Sequence, residues 1–204
     1  MAAHSPDLVL GTVIEDSPFF STELDRRENT YVWVYGFQLY QDFKGQDEIN
    51  DFFTYQLKNS YWKKLFGDFL WKKFSKDAIA YKEKHPDKPV HLAYLPPQIN
   101  RIFEADTYPY DRRFGETFYD HSWFEGYNQT DVLSKIKSPT AFLKDNTSYD
   151  GALLVAALSD EDAERVVSLL ENGKRIDIDT PSHDIHYEKP KEFTQVLVSF
   201  LEGL

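Results

Sequence analysis

The chain has 204 residues, a formal net charge of −11 and a pI near 5.0. Such an acidic chain lacks the concentrated basic surface that nucleic-acid binding requires, and no apolar run is long enough to cross a bilayer. The sequence has no cysteine, which excludes disulfides and thiolate chemistry. The opening residues, MAAHSPDLVL, show no secretory signal, so the sequence predicts a cytoplasmic protein. From its charge and hydropathy we expect neither nucleic-acid nor membrane partners.

The first predicted element is a strand. Residues 6–16, PDLVLGTVIED, form an apolar, partly β-branched run that ends in Glu15 and Asp16. A run of this kind, closed by polar residues, is typical of a buried parallel strand. We therefore expect residues 1–25 to provide a first core strand and its exit loop.

Residues 26–128 predict a separate, mostly helical segment. All four tryptophans lie in it, together with most of the tyrosine and phenylalanine. Apolar residues at spacings of three and four predict helices over 47–58, 60–84, 97–105 and 111–124. An insertion of this kind is either structural decoration or a lid whose aromatic side chains line an apolar pocket.

Residues 129–204 predict a β-α-β-α arrangement. A helix over 129–139 leads into a strand over 138–144, and a strand over 174–180 precedes a closing helix that begins near Pro190. Strands that alternate with helices in this way indicate a parallel sheet.

The helix between these two strands has clear end signals. Ser159 is a candidate N-cap with Asp162 three residues later, and Gly173 suits the C′ position that follows a helix. The sequence therefore predicts a helix over 159–173.

Two histidines follow the last predicted strand in TPSHDIHYEKP, residues 180–190. This segment, with IKSPTAFLKD and SDEDAERVVSLLENGKRIDID before it, resembles the C-terminal third of the α/β-hydrolase superfamily. PDLVLGTVIEDSPFF resembles the sixth strand of that family, and the aromatic middle segment stands where the family inserts a helical cap. SHDIHYEKP is the most specific piece, although Ser182 stands where glycine is usual.

The resemblance implies a partial α/β-hydrolase fold, with about three parallel strands, flanking helices and an inserted, mostly α-helical cap. It also implies that His183 is the general base, which accepts the proton of a nucleophile and later helps to activate water. His186 matches a second histidine of the pattern, and we expect it to pack or to cap at the start of the final helix.

The acid that would orient His183 is left open between two carboxylates. The family places this acid after the seventh strand, where Asp150 is the candidate, or after the sixth, where Asp16 is the alternative. Asp145 comes too early for the usual spacing and Asp150 slightly late, and the familiar short Gly-acid turn is absent. Asp150 is slightly preferred, then Asp16. For both candidates, a loop carboxylate that caps a turn or faces water is an equally good interpretation.

The nucleophile of the family is not found in this sequence. None of the nine glycines belongs to a G-x-S-x-G turn, so we expect this chain to be the C-terminal half of a longer hydrolase and to be inactive alone. Its first strand, residues 8–16, would form an open sheet edge that a partner chain or a second copy covers.

The expected substrate is a small, largely apolar ester or amide, a class inferred from the aromatic cap. No G-x-G-x-x-G or P-loop sequence is present, so no cofactor is expected. The HDIHYE sequence is only a weak metal-binding pattern, so no metal is expected either. The alternative function is a non-catalytic ligand-binding or interaction protein derived from the same fold.

Overall fold

The computed structural model describes residues 1–108, 111, 113–180 and 182–204. These residues form two compact units. The sheet unit consists of Met1–Trp33 and Phe124–Leu204, and the helical unit consists of Val34–Trp123.

The regular elements in chain order are β1 (Thr12–Glu15), α1 (Gln38–Lys44), α2 (Phe52–Lys58), α3 (Trp62–Lys84), α4 (Pro97–Thr107), α5 (Phe114–Tyr119), α6 (Gln129–Leu133), β2 (Thr140–Lys144), β3 (Tyr149–Asp150), β4 (Leu153–Leu154), α7 (Asp160–Leu169), β5 (Gly173–Asp177), α8 (Ile185–Glu188) and α9 (Pro190–Glu202). Three short 3₁₀ turns lie at Pro6–Leu8, Arg27–Asn29 and Ser122–Phe124, and a π-helical turn spans Trp33–Phe37.

The centre of the sheet unit is a three-stranded parallel sheet in the order β1-β2-β5. All five residues of β2 are buried, because helices cover both faces of this central strand. On one face Phe142 packs with Val166 of α7. On the other face Leu143 packs with Ile185 of α8, and α9 adds its apolar side to that cluster. The predicted α/β class, with three parallel strands and flanking helices, is confirmed.

The first strand is shorter than the apolar run predicted. Only Thr12–Glu15 pairs with β2, while Pro6–Leu8 forms a 3₁₀ turn. Leu8 and Leu10 are 76% and 82% exposed. Proline at the start of the turn fixes a helical φ there, so residues before Thr12 do not extend the strand and the expected buried strand over 8–16 is corrected to four residues.

Two details around the second strand also differ from the prediction. Ser159 is the N-cap of α7, as expected, and its hydroxyl oxygen accepts a hydrogen bond from the backbone amide of Asp162. The helix ends at Leu169, however, and Gly173 is the first residue of β5 instead of a C′ residue. A short antiparallel hairpin, β3 with β4, was not predicted, because two-residue strands carry no measurable alternation.

In the helical unit, the long predicted helix is present as α3 with a break at Gly67. Gly67 has φ 75° and ψ 158°, a backbone conformation that residues with a Cβ rarely adopt. The core of this unit joins Phe53 and Leu57 of α2, Trp71 of α3 and Phe103 of α4. The helix predicted over 111–124 is observed as α5, and Arg112 lies outside the described residues.

Within the described ranges, no helix is both long and apolar enough to cross a membrane.

Candidate functional site

The candidate site lies at the carboxyl edge of the parallel sheet. Asp16 follows β1, Asp145 follows β2, and the loop that carries His183 follows β5. Since the three strands are parallel, their carboxyl ends meet at one edge. Open α/β sheets build their ligand and catalytic sites at this edge.

A buried lysine connects the first two of these strand ends. Lys144, the last residue of β2, is fully buried. Its Nζ donates to the Asp145 carbonyl oxygen at 2.7 Å and to Asp145 Oδ1 at 2.8 Å. The same Nζ lies 3.6 Å from Asp16 Oδ1, and the Asp145 amide donates to that oxygen at 3.4 Å. One ammonium group therefore serves two buried carboxyl groups, which we call the buried cluster.

The buried cluster leaves Asp16 incompletely compensated. Among the described residues, Asp16 Oδ2 has no hydrogen-bond partner. Burial raises the pKa of Asp16 to about 7, and repulsion from Asp145 adds to the increase, while Lys144 opposes it. Asp16 also has φ 32°, which is uncommon for a residue other than glycine. The carboxyl group of Asp16 therefore titrates near neutral pH.

A carboxylate-histidine pair stands beside the cluster. Glu15, the last residue of β1, accepts hydrogen bonds from His186. The His186 backbone amide donates to Oε1 at 2.8 Å, and ring Nδ1 lies 2.9 Å from Oε1 and 3.0 Å from Oε2. The carboxylate therefore fixes Nδ1 as the protonated ring nitrogen. In the part of the chain that is described, Nε2 has no hydrogen-bond partner, and the His186 side chain is 56% exposed.

The sequence interpretation of His186 as a packing or capping residue agrees with part of this geometry. Its amide belongs to the first turn of α8, and Glu15 supplies that amide with an acceptor. Its ring meets Phe193 edge to face, with 5.9 Å between ring centroids. The carboxylate partner of the ring was missed, because Glu15 lies 171 residues away along the chain.

His183 lies in the loop between β5 and α8, with its side chain 70% exposed. Its Nε2 is 3.7 Å from Asp184 Oδ1, which is longer than a hydrogen bond. Within the described residues, neither Asp16 nor Asp150 forms a hydrogen bond with His183. The structure thus brings His183 to the same sheet edge as Asp16 but does not join the two side chains.

Asp150 belongs to the short hairpin of β3 and β4. It is the second residue of β3 and pairs with Leu153 of β4 in the hairpin. Asp150 is partly buried.

A cavity of about 730 Å³ in the sheet unit does not coincide with these groups. It lies between β5 and α9 and reaches the amino end of β2 at Pro139. Asp16, Lys144, His183 and His186 are not among its lining residues. Across the described ranges, no group of three or more histidine and acidic side chains is arranged to hold a metal ion.

No protein-family model and no curated protein matches this sequence. Three solved structures are similar to most of the chain. A bacterial membrane phospholipase A, a virulence factor, has 16% identity and a TM-score of 0.47, with coverage of 99% of this chain and 52% of that chain. A putative non-heme bromoperoxidase from Mycobacterium tuberculosis has 15% identity, a TM-score of 0.44 and coverage of 98% and 60%.

A second Mycobacterium tuberculosis protein has 16% identity, a TM-score of 0.43 and coverage of 99% and 60%. The chain thus spans between about half and three fifths of the length of these three structures.

Proposed function

We propose that this chain provides the proton-transfer part of an α/β-hydrolase-type enzyme that cleaves a small, largely apolar ester or amide. In this proposal His183 is the general base, and the nucleophile lies outside the 204 residues. The observation that carries it is the shared carboxyl edge, where the His183 loop and the Asp16 carboxyl group both follow parallel strands.

Asp16 is the acid that we favour. A triad acid sits behind the imidazole, away from water, and holds the imidazolium that forms during proton transfer. Asp16 is buried and has one oxygen, Oδ2, without a partner among the described residues. Asp150, the other candidate, belongs to a partly buried hairpin. Catalytic hydrogen bonds are often unformed without substrate, and we propose that the His183 loop closes onto Asp16 when substrate binds.

The proposed reaction also needs a nucleophile. β1 is an edge strand of the described sheet, and its unpaired backbone groups can accept a further parallel strand. We propose that a strand with the nucleophile at its carboxyl end pairs with β1, either from the same polypeptide or from a partner chain. The 204 residues alone would then bind substrate weakly and would not turn it over.

The test uses the full protein that the gene encodes, as wild type and as the His183→Ala variant. Hydrolysis of p-nitrophenyl acetate and butyrate is measured for this variant and for His91→Ala. His91 is an exposed histidine of the helical unit whose Nδ1 lies 2.6 Å from Glu104 Oε1, so it is a matched control. We expect kcat to fall about 100- to 10,000-fold in His183→Ala and to stay within about twofold in His91→Ala.

Two results would contradict the hydrolase proposal. One is unchanged kcat in a folded His183→Ala protein, which would remove this imidazole from the mechanism. The other is a wild-type gene product that hydrolyses neither ester and does not react with an active-serine probe.

The second candidate is a non-catalytic ligand-binding protein. One observation favours it: Lys144 already compensates Asp145 at 2.8 Å and stands 3.6 Å from Asp16. In that case the buried cluster is a structural ion network and His183 is a surface residue. Binding of an apolar ester without turnover, unchanged by His183→Ala, would support this candidate over the hydrolase.

A further inference from the structure

Three large apolar side chains are exposed close together in the helical unit. Leu65, Phe69 and Leu70 belong to α3 and are 65%, 84% and 45% exposed. They lie on both sides of Gly67, where the helix breaks. Single exposed apolar residues are ordinary on a protein surface, but large exposed apolar groups that lie together mark interaction sites. We call these three residues the apolar bend.

The local backbone presents the apolar bend to solvent. A Cβ on Gly67 would have no packing neighbour within 4 Å, so open space adjoins the break in the helix. From residue 63 to residue 70, every residue except Phe66 is exposed. The Phe66 ring stacks on Trp71, with 6.0 Å between centroids and 6° between planes. This stack anchors the segment to the core of the helical unit and leaves Leu65 and Phe69 facing solvent.

The segment around the apolar bend is rich in lysine. Residues 60–77 contain five lysines and two acidic residues, in a chain whose net charge is −11. Both acidic residues are paired, Asp68 with Lys63 at 3.4 Å and Asp77 with Lys73 at 2.9 Å. The segment therefore has an excess of positive charge that these two ion pairs do not compensate.

Part of this excess lies on the same side of α3 as Phe69. Lys72 and Lys76 follow Phe69 by three and seven residues, a spacing that places the three side chains along one face of a helix. Both lysines are exposed, and neither has a carboxylate within ion-pair distance among the described residues. This face of α3 thus combines a projecting aromatic ring with two uncompensated ammonium groups.

The combination narrows the class of partner. A nucleic-acid strand would contact the lysines and leave Leu65 and Phe69 in water. An anionic lipid surface satisfies both kinds of side chain, because apolar groups enter the layer between head groups and acyl chains while lysines reach the head groups. A lipid layer also needs no preformed pocket for a projecting ring, since its chains rearrange around the ring.

The acidic charge of the rest of the chain does not prevent this contact. At physiological salt, exposed charges farther apart than about 8–10 Å are largely screened from one another. The segment that touches the lipid therefore decides the attraction. The prediction of no membrane partner rests on the charge of the whole chain, which conceals the local excess of lysine.

We propose that the apolar bend docks the helical unit on an anionic lipid surface. Leu65, Phe69 and Leu70 enter the interfacial layer, and Lys72 and Lys76 contact the anionic groups of the lipid head groups. This contact is independent of the proposed hydrolase chemistry, because all five residues belong to the helical unit.

The experiment is co-sedimentation of the 204-residue protein with vesicles. Vesicles of equal parts phosphatidylcholine and phosphatidylglycerol are compared with vesicles of phosphatidylcholine alone. We expect partitioning into the anionic vesicles to be at least about tenfold stronger. It should weaken as the salt concentration rises, because salt screens the attraction between lysines and head groups.

Matched apolar variants test the apolar bend. Phe69→Ser and Leu65→Ser each remove one exposed apolar side chain, and we expect each to weaken partitioning into anionic vesicles about tenfold. Leu201→Ser is the control, because Leu201 lies in the sheet unit and is also 65% exposed. Its partitioning should stay within about twofold of wild type.

Charge variants test the lysines in the same assay. Lys72→Gln with Lys76→Gln removes two charges of the proposed contact, and we expect partitioning to weaken about tenfold or more. Lys174→Gln with Lys191→Gln removes two exposed lysines of the sheet unit and should change partitioning by less than about twofold. Circular dichroism checks that every variant keeps the wild-type helicity.

The proposal is overturned if the wild-type protein does not bind anionic vesicles, or if it binds neutral vesicles equally well. It is also overturned if folded Phe69→Ser partitions like the wild type. A dimer that depends on Phe69, detected by light scattering in the absence of vesicle binding, would instead make the apolar bend a contact between two copies of the protein. None of these readouts depends on ester hydrolysis, so failure of the hydrolase proposal leaves this test intact.

Discussion

The Glu15 carboxylate makes three contacts with His186, one with the His186 backbone amide at 2.8 Å and two with ring Nδ1 at 2.9 Å and 3.0 Å. This contact ties the last residue of β1 to the first turn of α8. It stabilises the short helix next to the His183 loop, since that helix has no side-chain cap of its own. The same carboxylate orients an imidazole at the edge where we propose the hydrolase site.

The first prediction concerns the tautomer of His186. In Glu15→Ala, ring Nδ1 and the amide lose their acceptor, and we expect the free energy of unfolding to fall by about 1–2 kcal/mol. In the wild type, neutral His186 should carry its proton on Nδ1, and in the variant mainly on Nε2. Long-range ¹H–¹⁵N spectra distinguish the two forms.

Glu104→Ala is the matched control, because His91 and Glu104 form an exposed histidine-glutamate pair in the helical unit. It should shift the His91 ring signals and leave those of His186 in place. An Nε2-protonated His186 in the wild type would show that the Glu15 contact does not persist in solution.

A second prediction follows from the raised pKa of Asp16. A carboxyl group whose pKa is higher in the folded than in the unfolded state binds its proton more tightly in the folded state, so its contribution to stability is fully present below about pH 4 and is lost as the pH rises through about 7. In Asp16→Asn this loss is absent. The pKa rises from 3.8 to about 7 and each unit corresponds to about 1.4 kcal/mol, so we expect the variant to gain on the order of 4 kcal/mol over wild type between these limits.

Urea unfolding at a series of pH values measures this difference, with the exposed Asp25→Asn as the control. The control should follow the wild-type pH dependence. If Asp16→Asn also follows it, the carboxyl group of Asp16 is ionised well below neutral pH and the buried cluster is more fully compensated than its geometry indicates.

A third prediction concerns Lys144, whose removal leaves two carboxyl groups buried without a cation. We expect Lys144→Met to lower the free energy of unfolding by about 3–5 kcal/mol. Adding Asp16→Asn should recover about 1–2 kcal/mol of this loss, since one of the two carboxyl groups is then neutral. Both variants are compared by urea unfolding at neutral pH.

Lys137→Met is the control for that experiment, because it breaks an exposed pair with Glu171 and should cost less than about 1 kcal/mol. If the change in the double variant equals the sum of the changes in Lys144→Met and Asp16→Asn measured separately, Lys144 and Asp16 do not interact in the folded protein.

The parts of the fold that the sequence predicts well are those with local signals. The strand β2 is a short apolar run, and the N-cap Ser159 stands three residues before Asp162, so both follow from neighbouring residues. The predicted β1 was too long. The apolar run extends further towards the N-terminus, but β1 begins at Thr12, where its pairing with β2 begins. The break at Gly67 inside α3 was missed, since a glycine alone does not distinguish a kink from a continuous helix.

The candidate site was only partly predictable for a related reason. The loop with His183 could be located after a strand from the order of elements. The contacts that define the site join residues far apart in the chain, Asp16 with Lys144 and Glu15 with His186. The burial of Lys144 could not be predicted from the sequence. Lysine is almost never fully buried without a partner, and its partner Asp16 lies far away along the chain.

The last prediction tests the corrected position of Gly173. A Cβ on this residue would stand 2.6 Å from the Cβ of Leu170, an atom that cannot move without shifting the backbone. Gly173 also pairs with Thr140 of β2, so the strand cannot shift away without loss of register. We expect Gly173→Ala to lower the free energy of unfolding by about 1–3 kcal/mol. Gly45→Ala is the control, because its nearest neighbour would lie at an ordinary 3.5 Å. Equal stability of the two variants would mean that Gly173 packs less closely against Leu170 than the structure shows.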